Sequence, residues 1–275
     1  VELNLKEKTA LVFAASQGLG KAIATQFAKE GANVVIASRS EDKLQRVVSE
    51  LNKIELHNVR YIKADVASLQ DIEQAVRFTE EEFGTIDILV NNAGGPKAGN
   101  FLEMTDEDWY TAFENNLMSC IRMTRTVVPI MKKSGGKIIN IASSSIKEPI
   151  PGLVLSNTFR TGIVGLTKTL AEELAAYGIL INTVAPGRIA TDRVGELDSI
   201  RANKLGITKE EVQTEMASQI ALGRYGNPEE FAKVVTFVAS GANSYMTGQS
   251  FLVDGGLVKS IIRSMLLLGL MVNDH

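Results

Sequence analysis

Cysteine is nearly absent. One residue, Cys120, in a chain of 275 cannot close an intramolecular disulfide, and no charged-then-apolar leader precedes the first apolar segment, so the expected compartment is the cytoplasm. Histidine is almost as scarce. Neither His57 nor the terminal His275 has a histidine or cysteine at metal-ligand spacing, and no metal site is expected. No apolar run approaches the roughly 20 residues of a membrane-crossing helix, so no span is expected. Charge of one sign is also lacking: 29 basic and 32 acidic residues, net charge −3, are mixed along the chain. Without a basic stripe, nucleic acid and anionic membrane surfaces are disfavoured as primary partners. No Pro/Gly linker or low-complexity tract divides the sequence, and 45% apolar content can fill one large core, so a single domain is expected.

What is present is a repeated alternation. The apolar run TALVFAA (residues 9–15), the turn SQGLG and the helical KAIATQFAKEG read as strand, glycine turn and helix. The unit returns as ANVVIASRS with EDKLQRVVSELNKI, as VRYIKADVAS with LQDIEQAVRFTEEEFG, and as IDILVNNAGG with a longer connection to a helix beginning near Thr105. GKIINIASSS, the helical stretch GLVLSNTFRTGIVGLTKTLA (152–171) and ILINTVAPG continue it, and QSFLVDGG near 249–256 supplies a last strand. Strands separated by helices of this length imply right-handed crossovers, hence an α/β fold with a doubly wound, about seven-stranded parallel sheet covered by helices on both faces. Residues 192–222, charged and rich in helix formers, read as a helical lid over the sheet's carboxyl edge. The apolar tail, residues 257–275, is expected to bury against another subunit, which predicts a homo-oligomer, tetramer or dimer.

In open parallel sheets ligands sit beyond the carboxyl ends of the strands, where the strand order reverses. The first turn, FAASQGLG, puts Gly18 and Gly20 before a helix, where a pyrophosphate could approach backbone N–H groups; a tight turn alone would also call for glycine. After the second strand, Ser38-Arg39 stands where an acidic residue would hydrogen-bond an unsubstituted adenosine ribose. A guanidinium there can pair a 2′-phosphate, favouring NADP with NAD as second choice; a solvated surface arginine is the competing reading, because Gln17 supplies no second positive charge. Asp65 either caps the next helix or meets an adenine. Asn91, Asn92, Ala93 and Gly94 end the fourth strand.

These motifs, together with NNLMS around Asn116, INIASS around Ser143, GLTKTLAEEL, NTVAPGRIATD, GRYGNPEE and MTGQSFLVDGG, resemble the short-chain dehydrogenase/reductase family, in the branch that includes the 3-oxoacyl-carrier-protein reductases. The likeness covers residues 6–256. It implies a Rossmann domain over 1–256, hydride transfer between a nicotinamide coenzyme and a carbonyl or alcohol, and a coenzyme site formed by Ala14, Ser16, Gln17, Gly18, Leu19, Gly20, Ser38, Arg39, Asp65, Val66, Asn92, Ala93, Gly94, Arg160, Pro186, Gly187, Ile189 and Thr191. The same likeness assigns the hydroxyl that holds the substrate oxygen to Ser143, and the helix-kinking, water-holding amide to Asn116.

The chain departs from that family in two places. Phe13 and Ala14 stand where Thr-Gly opens the glycine motif, and Ser156 and Arg160 stand where the family carries its Tyr proton donor and Lys. All five tyrosines (Tyr61, Tyr110, Tyr177, Tyr225, Tyr245) lie elsewhere. A phenol starts near pKa 10, whereas an aliphatic hydroxyl is a far weaker acid; Arg160 keeps a positive charge but relays no proton as Lys could. Ser143 with Ser144, Lys147, or a water on Asn116 are the substitute donors, with Lys147 and Lys97 also readable as solvent-facing lysines. Two functions are therefore carried forward: an NADP-dependent oxidoreductase with an atypical pair, and a nucleotide-binding protein with little turnover. Lid residues Arg193, Arg201 and Lys204 suggest tolerance of anionic substrates or plain surface charge. Cys120 reads as helix packing.

Overall fold

The computed structural model describes residues 1–54, 56 and 58–260. His57, His275 and the tail from residue 261, with its expected burial at a subunit interface, lie outside the described residues.

Seven strands form one all-parallel sheet: β1 (Thr9–Phe13), β2 (Asn33–Ser38), β3 (Val59–Lys63), β4 (Ile88–Asn91), β5 (Gly136–Ile141), β6 (Ile179–Pro186) and β7 (Ser250–Val253), in the spatial order β3-β2-β1-β4-β5-β6-β7. The expected doubly wound sheet is thus present. Its order reverses between β1 and β4, the place where sheets of this kind bind their ligands. Alternation along the central strands builds two cores. Ala10, Val12, Val34, Ile36, Ile88, Val90, Ile139 and Ile141 pack on one face with Ile23, Ala24 and Phe27 of α1 (Gly18–Lys29), with α2 (Glu41–Asn52) and with α9 (Pro228–Ala239). Leu11, Phe13, Val35, Ala37, Leu89 and Ile138 turn to the other face, against α3 (Leu69–Phe83), α5 (Ser119–Met131) and α6 (Val154–Ala175). Phe27 and Phe13, both fully buried, each stabilise by about 1.5–3 kcal/mol through removal from water.

Polar residues continue across the sheet at the C-terminal ends of the central strands. Asn91 pairs in register with Asn140, and Asn140 with Thr183. Asn91 Nδ2 donates to Asn140 Oδ1 (2.7 Å) and Thr124 Oγ1 (2.8 Å), Asn140 Nδ2 donates to Thr167 Oγ1 (2.8 Å), and Thr167 meets Thr183 at 2.9 Å. All five are buried, so these bonds stand in for the water their side chains have lost. They fix the relative heights of β4, β5 and β6, whose ends carry the site.

α4 (Asp106–Phe113) runs through a π-helical turn, Glu114–Met118, into α5. α7 (Asp192–Leu205) and α8 (Lys209–Ser218) form the segment expected as the lid. Among the described residues no helix is long and apolar enough to cross a membrane, and no group of three or more metal-ligating side chains is gathered.

Candidate active site

The turn after β1 is built by steric necessity. An added Cβ on Gly20 would lie 2.5 Å from the Ala14 carbonyl oxygen and 2.8 Å from Asn92 Nδ2, so α1 can approach β1 only with glycine there. Gly18 has φ +56° and Ala14 φ +48°. Ala14 therefore holds the left-handed conformation that a glycine would adopt without strain, which costs an L-residue about 1–2 kcal/mol. Asn92 Nδ2 braces the turn by donating to the Phe13 and Ala14 carbonyls, both at 3.3 Å. The N-cap of α1, Gln17, makes no side-chain capping bond. The first-turn N–H groups of a helix have no intrahelical acceptor, and among the described residues no side chain caps them here, an arrangement that suits an anion at the switch point. Thr191, the cap of α7, comes within van der Waals distance: its Cγ2 would be 3.7 Å from a Cβ on Gly18.

Ser38 ends β2 with its hydroxyl buried and unpartnered, and Arg39 beyond it is exposed. Sequence reasoning missed Lys43. From the first turn of α2 its Nζ donates to Gln17 Oε1 at 2.6 Å, so Gln17, uncharged itself, brings a second cation to this corner. The side-by-side pairing of β1 and β2 juxtaposes the two, and no local motif signals it. Asp65 does not cap α3; Ser68 does, accepting from Asp71 N at 3.2 Å. Asp65 Oδ1 instead accepts from Ala67 N at 3.0 Å, and Val66 beside it is half-buried. Past β4, Gly94 faces open space, with nothing within 4 Å of an added Cβ.

The four residues expected at the chemical centre are carried by three elements. Asn116 is buried in the π-helical turn; its Nδ2 donates to Ala112 O at 3.2 Å, while its Oδ1 has no partner. Such turns recur at functional sites because the extra residue displaces the local helix ladder. Ser143 ends the β5 connection, and its Oγ accepts from Ser145 N at 3.2 Å. Its own hydrogen is thereby left to donate. Ser156 and Arg160 sit four residues apart on α6, both buried, one turn apart on a common face. The Arg160 guanidinium donates to Ile141 O (2.6 Å) and toward Ala93 O (3.4 Å), spanning the ends of β5 and β4. Among the described residues it forms no ion pair. Burial pushes it down to about 10, still protonated at neutral pH, with the nearby Cys120 acting in the opposite direction. Burial drives the Cys120 thiol up to about 12, and its Sγ donates to Asn140 Oδ1 at 3.3 Å; the thiol is thus a neutral packing group. Lys147 is exposed, and Lys97 is paired with Asp108 at 2.8 Å.

The far wall is formed by the β6 end. Gly187 N donates to Val253 O at 3.0 Å, and an added Cβ would strike Asp254 at 2.5 Å, so Pro186-Gly187 can pass β7 only without a side chain. Ile189 is a core residue, 4% exposed and packed in the α1/α9 face, so it offers a ligand backbone only. In the lid, Arg193 bonds Glu196 (2.8 Å) and the Pro96 carbonyl, and Arg201 bonds Glu215 (2.8 Å). Arg193 thus ties α7 to the loop after β4.

Comparison with known proteins agrees with the fold. The family model described as enoyl-(acyl carrier protein) reductase matches residues 13–258. The chain is 36% identical over 256 residues to the 3-oxoacyl-[acyl-carrier-protein] reductase FabG of Vibrio cholerae, covering 93% of this chain and 99% of that protein. It is 38% identical over 254 residues to dehydrogenase/reductase SDR family member 4 of Caenorhabditis elegans, covering 91% and 95%. The crystal structure of L-sorbose reductase from Gluconobacter frateurii, complexed with NADPH and L-sorbose, superposes with a TM-score of 0.90 at 30% identity, covering 95% of this chain and 100% of that one. The chain belongs to the short-chain dehydrogenase/reductase family of oxidoreductases.

Proposed function

We propose that this chain is an NADP-dependent oxidoreductase that transfers a hydride between the coenzyme and a carbonyl or alcohol substrate, using Ser143 and Asn116 with Ser156 and Arg160 in place of the Tyr/Lys pair. The observation that carries the reading is the uncapped N-terminus of α1 at the sheet's reversal point, next to Gly94, which faces open space. These residues fit a dinucleotide: N–H groups of the first turn of α1 for the diphosphate, Arg39 and Lys43 for a 2′-phosphate, with Arg160 and Asn92 toward the nicotinamide half. The NADPH complex of L-sorbose reductase supports the same coenzyme. Residues 1–256 act as one domain with 192–222 as its lid. The aromatic cluster of Phe101 in the short 3₁₀ turn Phe101–Glu103, Trp109 and Phe113 on α4, and Phe159 on α6, reaching the surface at Phe101, supports a homo-oligomer.

When bound, the coenzyme supplies the hydride exchanged with the carbonyl carbon. Ser143 donates its free O–H to the substrate oxygen. The Ser156 hydroxyl is too weak an acid to protonate that oxygen as a phenol would, so the proton is drawn from bulk solvent and relayed through a water that donates its other hydrogen to the unpartnered Asn116 Oδ1, the relay leaving no hydroxide behind. Arg160 stabilises negative charge developing there without giving up its proton. Loss of a positioned acid costs about 10²- to 10⁴-fold in rate, so turnover is slow.

A second reading, coenzyme binding without turnover, is favoured by one observation: Arg160 is engaged with two backbone carbonyls. Mixing the protein with NADPH and following absorbance across a panel of ketones and aldehydes separates the two. Slow oxidation, raised roughly 10²-fold or more by the double variant Ser156→Tyr with Arg160→Lys, supports the enzyme. Tight binding with no oxidation in either protein rules it out.

A further inference from the structure

Among the described residues the Arg160 guanidinium has no counter-charge. Its bonds go to neutral carbonyls of Ile141 and Ala93, and the other groups of the chemical centre, Ser143, Ser156 and Asn116, are uncharged. Cys120, the ionisable group beneath it, stays a thiol because burial opposes its ionisation. Lys97 is engaged with Asp108 on the surface. A phenol in place of Ser156 could ionise beside a cation and balance a second positive charge; a serine hydroxyl cannot.

We propose that Arg160 makes this site discriminate between the two redox states of its coenzyme, holding the reduced form, whose ring is neutral, in preference to the oxidised form, whose ring is cationic. The inference rests on the coenzyme reading above and adds a specificity-determining role. Phosphates, riboses and adenine are common to both forms, so their contributions cancel and the ratio of the two affinities isolates the charge felt by the ring. A fixed arginine charge cannot be shed to relieve the repulsion. For unit charges roughly 6 Å apart at an effective dielectric of about 20–40, the Coulomb penalty corresponds to roughly 10- to 100-fold in affinity. Because the cation is buried, the ratio resists salt far better than a surface effect would. The chain would then bind its coenzyme loaded for reduction and release it once spent, acting as a reductase with little product inhibition by the oxidised form.

The test is equilibrium titration of the full chain with NADPH and with NADP⁺, by calorimetry, at low and high salt. The wild type is expected to bind NADPH at least about tenfold more tightly, and Arg160→Lys to keep that ratio. Arg160→Gln removes the charge, and Ser156→Asp leaves Arg160 in place but supplies a counter-charge; each is expected to bring the ratio at least threefold closer to one. Using both guards against one variant failing to fold. A wild-type ratio near one, or a ratio unmoved by whichever neutralising variant folds, would overturn the inference while leaving coenzyme binding intact. No binding of either coenzyme by the wild type would remove the coenzyme reading itself, and this inference with it.

Discussion

Two alanine substitutions at glycines on either side of the crevice separate what the fold requires from what a ligand requires. In Gly20→Ala the new methyl would lie 2.5 Å from Ala14 O and 2.9 Å from Ala15 Cα, where ordinary contact begins near 3.4 Å. Both obstacles are backbone, so no rotamer change relieves them; α1 must back away from β1 by close to an ångström. Overpacking of this kind costs about 1–3 kcal/mol. Displacing Asn92 Nδ2, 2.8 Å from the added carbon, loosens two long bonds to Phe13 and Ala14, adding about 1 kcal/mol. The expected loss is therefore roughly 2–4 kcal/mol, read as a shift of the urea midpoint at constant slope. Gly94→Ala meets nothing within 4 Å, so its stability should stay within about 0.5 kcal/mol of wild type. If that space is where the coenzyme passes, however, NADPH affinity falls by about tenfold or more, about 1.4 kcal/mol. A Gly20→Ala protein as stable as wild type would refute the packing argument. A Gly94→Ala protein that keeps full affinity would show that the open space is not the coenzyme's.

Asn140→Leu removes the acceptor of Asn91 and Cys120 and the donor to Thr167, leaving buried groups unpaired; a loss of about 3–5 kcal/mol is expected in chemical denaturation, and a loss under about 1 kcal/mol would contradict the polar-ladder account. On the surface, Arg224 bonds both oxygens of Glu230, and with the Asn227 N–H it holds the carboxyl down to about 2. A depressed carboxyl contributes stability that is complete above its unfolded value of 4.5 and is lost as pH falls toward about 2. Wild type and Glu230→Gln should therefore differ most above pH 4.5 and converge in acid; a gap that stays constant through that window would show the ion pair to be without effect.

Much of this site was legible because its chemistry sits at strand ends, and buried parallel strands announce themselves as apolar runs. TALVFAA, GKIINIASS and ILINTVAPG gave β1, β5 and β6, with Pro186 ending β6 and Ser143 two residues past β5; Ala14 and Ala15 fell in the turn because the chain leaves the sheet after Phe13. The kink at Asn116 came from family likeness, since a π-turn alters the hydrogen-bond ladder without altering hydrophobic periodicity. Lys43 was invisible because its relation to Gln17 is made by two strands lying side by side. Arg160 could be placed on the right helical face, but its long side chain has many rotamers, and only the carbonyls of Ile141 and Ala93 show that it folds inward. Arg193, open to reading as an anion contact, is occupied by Glu196 and Pro96.

The central claim is tested most directly by a crystal structure of the chain grown with NADPH. The account predicts the diphosphate against the backbone N–H groups of Gly18, Leu19 and Gly20, with the nicotinamide facing Ser143. A coenzyme bound elsewhere, or one whose ring points away from Ser143, would contradict it.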